Sequence, residues 1–212
     1  GVTLVGVSLN DAFIVLFGYL LGSVNFAIII SKASGNGDVR DYGSGNAGTS
    51  NVARTIGLKY GAVVMVLDIL KGFIAAMVGK HFVPADGVLL GGFAAILGHR
   101  YPIFFKMRGG KSVATYGGVL LAIDYRIAFC FAGAWLFFIL ITRYMAMGAI
   151  LGVWIVPMVT RHFQPDFTIL PTYGIAIGWI LVFFHRQNFK RIRQRTEPKV
   201  SFKLHAKEQK YD

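Results

Sequence analysis

Hydrophobic residues in this chain gather into long unbroken runs, with polar residues confined to the stretches between them. Residues 12–31 (AFIVLFGYLLGSVNFAIIIS) form a first run of 20 residues, which as a helix covers about 30 Å, the thickness of a bilayer's hydrocarbon core. Further apolar runs occupy residues 60–79, 86–98, 112–123, 127–142, 145–160 and 168–184. The pattern predicts an all-α polytopic integral membrane protein, a seven-helix bundle in which some helices are short or kinked. The third and fourth runs hold 13 and 12 residues, fewer than the roughly 17 that cross a bilayer unaided. Five crossings plus a re-entrant hairpin leave the chain ends on the same sides as seven crossings, so the pattern leaves both open. A cleavable signal peptide is not expected, because no basic segment precedes the first run and the run exceeds a usual signal core.

Composition agrees with this reading. Of 212 residues 55% are hydrophobic, and the mean hydropathy of +0.57 is too high for a domain with a wet exterior. Residues 1–196 read as a single transmembrane domain and residues 197–212 as a basic cytoplasmic tail. The single cysteine, Cys130, lies within the apolar FCFAGAW stretch and excludes an intramolecular disulfide.

The net charge of +12 raises nucleic acid as a partner until the charges are placed on the runs. Eighteen of the 22 basic residues fall on one side: Lys32, Arg40, Arg54, Lys59, Arg100, Lys106, Arg108, Lys111, Arg143 and nine from Arg186 to Lys210. Lys80, Arg126 and Arg161 fall on the other, and Lys71 lies within a run. Excess lysine and arginine marks the cytoplasmic side, which puts the N-terminus outside and the C-terminus in the cytoplasm. Most of the charge is therefore topological, and nucleic acid is not an expected partner. The basic tail is expected to rest on anionic membrane lipid.

This orientation collects the unusual loops on the cytoplasmic face. DVRDYGSGNAGTSNVAR, from Asp38 to Arg54, mixes glycines with hydroxyls and amides, residues that let a backbone approach a ligand closely and donate to phosphate oxygens. If the chain turns helical from Ala47 onward, Ser50 and Arg54 stand on one face. The loop from His99 to Lys111 (HRYPIFFKMRGGK) brings Gly109 and Gly110, read as exposing backbone amides, and the charge of Lys111. Its GGKS end falls short of a Walker A motif, which would need glycine where Phe105 stands. His99 and His185 each end an apolar run at the same boundary. Without a metal-binding His or carboxylate spacing no metal is expected. Asp68 and Lys71, three residues apart within the second run, read as a neutralising pair or as a polar wall of a substrate channel.

GYLLGSVNFAIIISK, DYGSGNAGTSNVARTIGLKYG, GHRYPIFFKMRGGKSVAT and HRQNFKRI followed by Glu197 together resemble the successive motifs of the bacterial acyl-phosphate:glycerol-3-phosphate acyltransferases, over about residues 18–197. The resemblance implies a seven-helix bundle in the bacterial cytoplasmic (inner) membrane with its active site facing the cytoplasm. It further implies transfer of a fatty acyl group from a long-chain acyl phosphate to the 1-hydroxyl of glycerol 3-phosphate, giving lysophosphatidic acid and inorganic phosphate for phospholipid biosynthesis. No cofactor, metal or acyl-enzyme is implied. Phosphate binding is implied for Ser44, Gly45, Asn46, Ser50, Asn51 and Arg54 in the first loop and for His99, Gly109, Gly110 and Lys111 in the second. Catalysis is implied for His185, Asn188, Lys111 and Arg54, with His185 orienting or deprotonating the attacking hydroxyl and the substrate's own phosphate as the other candidate base. After the fifth run the family tends to carry two serines where this chain has Ala146 and Ala149. A small membrane transporter for anionic solutes is the alternative, but related halves and midplane polar groups beyond Asp68 and Lys71 are lacking. A metal-dependent lipid synthase would need a DGxxAR-type motif, which the sequence does not contain.

Overall fold

All seven apolar runs fold as helix in the computed structural model, which describes residues 7–200. The first run is divided. α1 (Leu9–Ser23) begins with a capping box, in which the Ser8 hydroxyl and the Asp11 carboxylate each bond the other's backbone amide. It stops at Val24, and Asn25 caps a second helix, α2 (Phe26–Ala33), by accepting from the Ile28 amide at 3.0 Å. The asparagine offers the backbone a bond outside the helical ladder, which allows the run to break within the membrane.

Beyond a 3-10 turn at Val39–Asp41, the first polar loop contains a short helix, α3 (Thr49–Thr55). The remaining elements are α4 (Leu58–Phe82), α5 (Gly87–Arg100), a 3-10 turn at Ile103–Phe105, α6 (Val113–Ile123), α7 (Tyr125–Thr142), α8 (Met145–Gly152), α9 (Ile155–Phe163), α10 (Leu170–Phe184) and α11 (Arg186–Arg193). Four helical stretches, Leu9–Ala33, Leu58–Phe82, Gly87–Phe105 and Tyr125–Thr142, are long and apolar enough to cross a membrane. α8 and α9, bent by 44° at their junction, make a fifth if taken as one span. α6, with 11 residues, and α10, with 15, are shorter.

Helix packing relies on small residues. α1 packs on α5, α4 on α5 and α6, and α7 on α8. At these crossings a side chain on Gly22 would strike the Ala95 carbonyl, one on Gly72 the Thr115 carbonyl, and one on Gly118 the Ile69 carbonyl. Between lipid-embedded helices the apolar effect is weak, since lipid is as oily as leucine, so close backbone approach supplies the attraction. The main core joins α4–α7 to α9 and α10 through Ile96, Tyr116, Leu120, Phe131, Val156 and Leu181. A smaller cluster, Ala27, Ile28, Val39, Ala47, Val52 and Val64, lies beneath the first polar loop. Phe129, Leu140, Ile141, Met158 and Trp179 face outward, as lipid contact requires.

Asp124 turns the chain between α6 and α7. Its carboxylate accepts from the Arg126 backbone and guanidinium and from Gln164 at 2.7 Å, bonds that hold its pKa well below the usual carboxylate range. Of the expected tail, residues 197–200 are docked and not trailing: the Val200 amide donates to the Arg143 carbonyl at 2.8 Å. Residues 201–212 lie outside the described residues.

Replacing Gly72 with valine drives a side chain into the Thr115 backbone, which cannot yield as a side chain would, and is expected to cost about 1–3 kcal/mol. Gly117 has open space around it, so Gly117→Ala should leave the melting temperature unchanged or raised. Thermal unfolding of the two variants in one detergent checks the contrast.

Candidate functional site

The first polar loop is held from within by two side chains. Asp38 receives the Arg40 guanidinium through Nε at 2.9 Å and a terminal nitrogen at 2.7 Å, and this pairing pulls its carboxyl down to about 2. So fixed, Arg40 donates its remaining nitrogen to the carbonyls of Phe105, at 2.7 Å, and Arg108, at 3.2 Å. An arginine that the sequence places among topological charges therefore stitches the first polar loop to the second. Asn51, expected as a phosphate ligand, is instead a buried brace. Its amide oxygen accepts from the Ser44 backbone at 3.1 Å, and its nitrogen donates to the Val39 and Tyr42 carbonyls, each at 3.0 Å. Gly43 makes this possible: it adopts a φ of +55°, and a Cβ there would collide with the Asn51 amide. α3 forms as expected, with Ser50 half-buried and Arg54 exposed in its last turn.

In the second loop the backbone amides of Gly109 and Gly110, expected to be exposed, donate to the carbonyls of Arg100 and His99, each at 3.1 Å. Those amides are occupied. The glycines are required for a different reason, close approach: a Cβ on Gly110 would collide with His99 Nε2 and stand 2.8 Å from the Ala47 carbonyl. Lys106, Met107 and Ser112, all non-glycine, hold left-handed conformations around this turn, which stores backbone strain at the site. Ser112 then anchors the start of α6 by donating to the Ile96 carbonyl at 2.8 Å. Asn25 donates to the Ala47 carbonyl at 3.2 Å, so the break between α1 and α2 also supports the place where the loops meet.

The third segment joins α10 to α11. His185 is buried, and its Nδ1 donates to the Leu181 carbonyl at 2.7 Å; a carbonyl can only accept, which leaves Nε2 with its lone pair. Burial, and then the Lys111 charge, push the imidazole down to about 4, so it is neutral near pH 7. Asn188, also buried, accepts from the Lys111 ammonium and donates to Glu197 at 2.7 Å, while Glu197 takes Arg191 Nε at 2.6 Å. Lys111 is lowered to about 8, first by burial and next by Arg191.

These segments enclose a cavity of about 210 Å³ lined by Ser44, Gly45, Asn46, Arg100, Met107, Arg108, Gly109, Lys111, Phe184, Arg186, Gln187 and Arg191. Ser44, Gly45, Asn46, Gly109 and Lys111 are thus brought together as wall residues. Ser50, Asn51, Arg54, His99, Gly110, His185 and Asn188 do not line it; Asn188 and Gly110 stand directly behind Lys111, by hydrogen bond and by sequence. Arg54 has no hydrogen bond or ion pair among the described residues, and its charge acts on Lys111. Sequence reading missed Arg100, Arg186, Gln187 and Arg191; the three arginines come together only where the end of α5 and α11 border one cavity. Ala146 and Ala149 are buried in α8 and do not line the cavity. Five cations around one small hollow, with no carboxylate in its wall among the described residues, suit an anion. Phe184 and Met107 give one side of it an oily edge.

Residues 12–195 match the family model described as glycerol-3-phosphate acyltransferase. A relative named glycerol-3-phosphate acyltransferase from Brucella suis is 39% identical over 189 residues, covering 89% of this chain and 92% of the relative. One of the same name from a Thermoanaerobacter species is 35% identical over 192 residues, covering 91% and 96%. Among solved structures, PlsY (YgiH), an integral membrane glycerol 3-phosphate acyltransferase, matches in its glycerol 3-phosphate form with a TM-score of 0.82 at 36% identity, over 90% of this chain and 96% of that one. Its lysophosphatidic acid form matches with a TM-score of 0.80 at 35% identity, over 90% and 95%. With a family match across nearly all its helices and relatives of like length sharing over a third of its residues, this chain belongs to the glycerol-3-phosphate acyltransferase family of integral membrane proteins.

Proposed function

We propose that this protein transfers a fatty acyl group from acyl phosphate to the 1-hydroxyl of glycerol 3-phosphate, giving lysophosphatidic acid and inorganic phosphate. The observation that carries the reading is the cavity itself: Arg100, Arg108, Lys111, Arg186 and Arg191 surround a hollow with an oily edge at Phe184 and Met107. Both substrates carry phosphate and one carries a hydrocarbon chain, so the site offers what each needs. Arg54, exposed and without an ion pair among the described residues, is the cation that closes over a bound phosphate from the rim.

The reaction needs positioning more than covalent help from the protein, because a mixed anhydride already has a good leaving group. The glycerol hydroxyl oxygen attacks the acyl carbonyl carbon, the bond from that carbon to the phosphate oxygen breaks, and phosphate departs with the bonding electrons. Lys111 and its neighbouring arginines stabilise the charge that develops on those oxygens. Asn188 aims Lys111, since its amide oxygen accepts from the ammonium. The hydroxyl proton goes to a base. With its pKa lowered to about 4, His185 is a weak proton acceptor, so its part is to orient the hydroxyl from behind the cavity wall. The glycerol phosphate group, whose second pKa is about 6, takes the proton.

The proposed setting is the bacterial inner membrane, with seven crossings, the N-terminus outside, the site and C-terminus in the cytoplasm, and the tail from 197 against anionic lipid. The lopsided distribution of lysine and arginine supports this orientation. The short α6 and α10 cross by extending through flanking polar residues or by thinning the bilayer.

Purified protein given palmitoyl phosphate and glycerol 3-phosphate, without acyl-CoA or acyl carrier protein, should release phosphate and form lysophosphatidic acid. A requirement for either carrier would reassign the donor. Lys111→Ala should lower turnover by at least about 100-fold, the scale on which loss of a single transition-state charge contact is felt, with Arg54→Ala also severely impaired. Near-normal rates in both variants would remove these residues from the site.

The lowered pKa of Lys111 sets a pH limit. Its ammonium is charged below about 8 and neutral above, so kcat/KM for glycerol 3-phosphate should fall as pH rises through that value. Lys111→Arg, which stays charged, should lose this alkaline limb even if its overall rate is lower. A profile with the limb intact in the arginine variant would assign it to another group.

A further inference from the structure

Behind the cavity, in the middle of the bundle, lies a second polar group that the mechanism above does not use. Asp68 and Lys71 on α4 and His99 on α5 are 2%, 2% and 4% exposed. Lys71 Nζ is 3.1 Å from Asp68 Oδ1, an ion pair whose angle does not make a directed hydrogen bond. The ammonium's directed bonds go to the Gly22 carbonyl at 3.0 Å and the Val24 carbonyl at 2.8 Å, where α1 breaks from α2. His99 Nδ1 faces the same Asp68 oxygen at 3.6 Å, and among the described residues each atom lacks a hydrogen-bond partner. A shift of about 0.7 Å would bring the two to an ordinary N–H···O separation.

Pairing alone does not account for this arrangement. A buried ion pair gains little over well-packed apolar residues of the same size, and ionisable groups at membrane depth are costly. The other edge of the histidine ring supplies a reason. His99 Nε2 bears directly on Gly110, the residue before Lys111, and the His99 carbonyl holds the Gly110 amide. A continuous contact path therefore runs from Lys71 through Asp68 and His99 to Gly110 and the ammonium in the cavity wall.

We propose that Asp68 is a positioning residue for acyl transfer: it accepts from His99 Nδ1–H, and the histidine, so oriented, sets the height of Gly110 and Lys111 against the Ala47 carbonyl. Lys71 holds the carboxylate charged and ties it to the break in the first span, so both cytoplasmic loops are referenced to one buried point. The proposal rests on the acyl-transfer reading and extends it to a residue outside the cavity.

The test is a double-mutant cycle read in turnover. Phosphate release from palmitoyl phosphate and glycerol 3-phosphate is measured for wild type, Asp68→Asn, His99→Gln and the combined variant, each shown to be folded by monodisperse elution and cooperative melting. If Asp68 acts through His99, each single variant should lower kcat at least about tenfold with KM changed less than about threefold, and adding Asp68→Asn to His99→Gln should cost under about twofold. Losses that multiply would overturn the proposal. Asp68→Asn/Lys71→Met removes both charges and tests the rival role: recovery of wild-type turnover would show that Asp68 serves only to neutralise Lys71, and would equally overturn it. Where Asp68→Asn alone fails to fold, this neutral pair becomes the starting point of the same cycle with His99→Gln. An inactive wild type would remove the acyl-transfer reading itself, whereas an active wild type with multiplying losses would remove only the role given to Asp68.

Discussion

At Gly110 there is room for no side chain. The histidine ring of α5 presses on it from one side and the Ala47 carbonyl of the first loop from another, so the two polar segments can meet only because the backbone is bare there. Everything in the cavity wall depends on that approach. A larger residue would lift Lys111 away from Asn188 and separate the first loop from the second. The same place receives support from below: Asn25 bonds the Ala47 carbonyl, and Arg40 reaches from the first loop to the carbonyls of the second.

A hollow walled by five cations would repel itself apart if it were loosely built. Like charges this close cost stability unless the surrounding structure fixes them, and here the fixing is visible. Glu197 holds Arg191 and Asn188, Asn188 holds Lys111, and Asp38 holds Arg40. The positive charge that remains favours an anion, and burial followed by the neighbouring Arg191 lowers the pKa of Lys111. Binding of a phosphate would restore the charged form and tighten the site at once. Rigidity in the helices and unsatisfied charge in the loops are thus two sides of one arrangement.

Much of this was legible along the chain. The apolar runs gave the helices to within a few residues, because a segment surrounded by lipid must satisfy its backbone internally and has no other way to do so. The motifs around Ser44, Gly109 and His185 marked loops that the fold brings to one cavity. The roles within them were another matter. Asn51 looks like a ligand in sequence and proves to be a brace, and the amides of Gly109 and Gly110 look available and prove to be bonded. An amide side chain serves a phosphate and a backbone carbonyl equally well, and nothing local to the sequence says which will be nearer.

The sequence by itself determined the helical class, the membrane setting and the three polar segments that wall the cavity, since these follow from hydropathy and residue type at short range. Only the tertiary structure decided which cations share a wall. Arg100, Arg186 and Arg191 read as charges at the ends of apolar runs, and Arg40 as one more. Their convergence around the cavity or across the loops arises from contacts between residues 10 to 77 positions apart, the longest being the Lys111–Asn188 bond. Hydropathy is a property of a segment; a cavity is a property of which segments pack together.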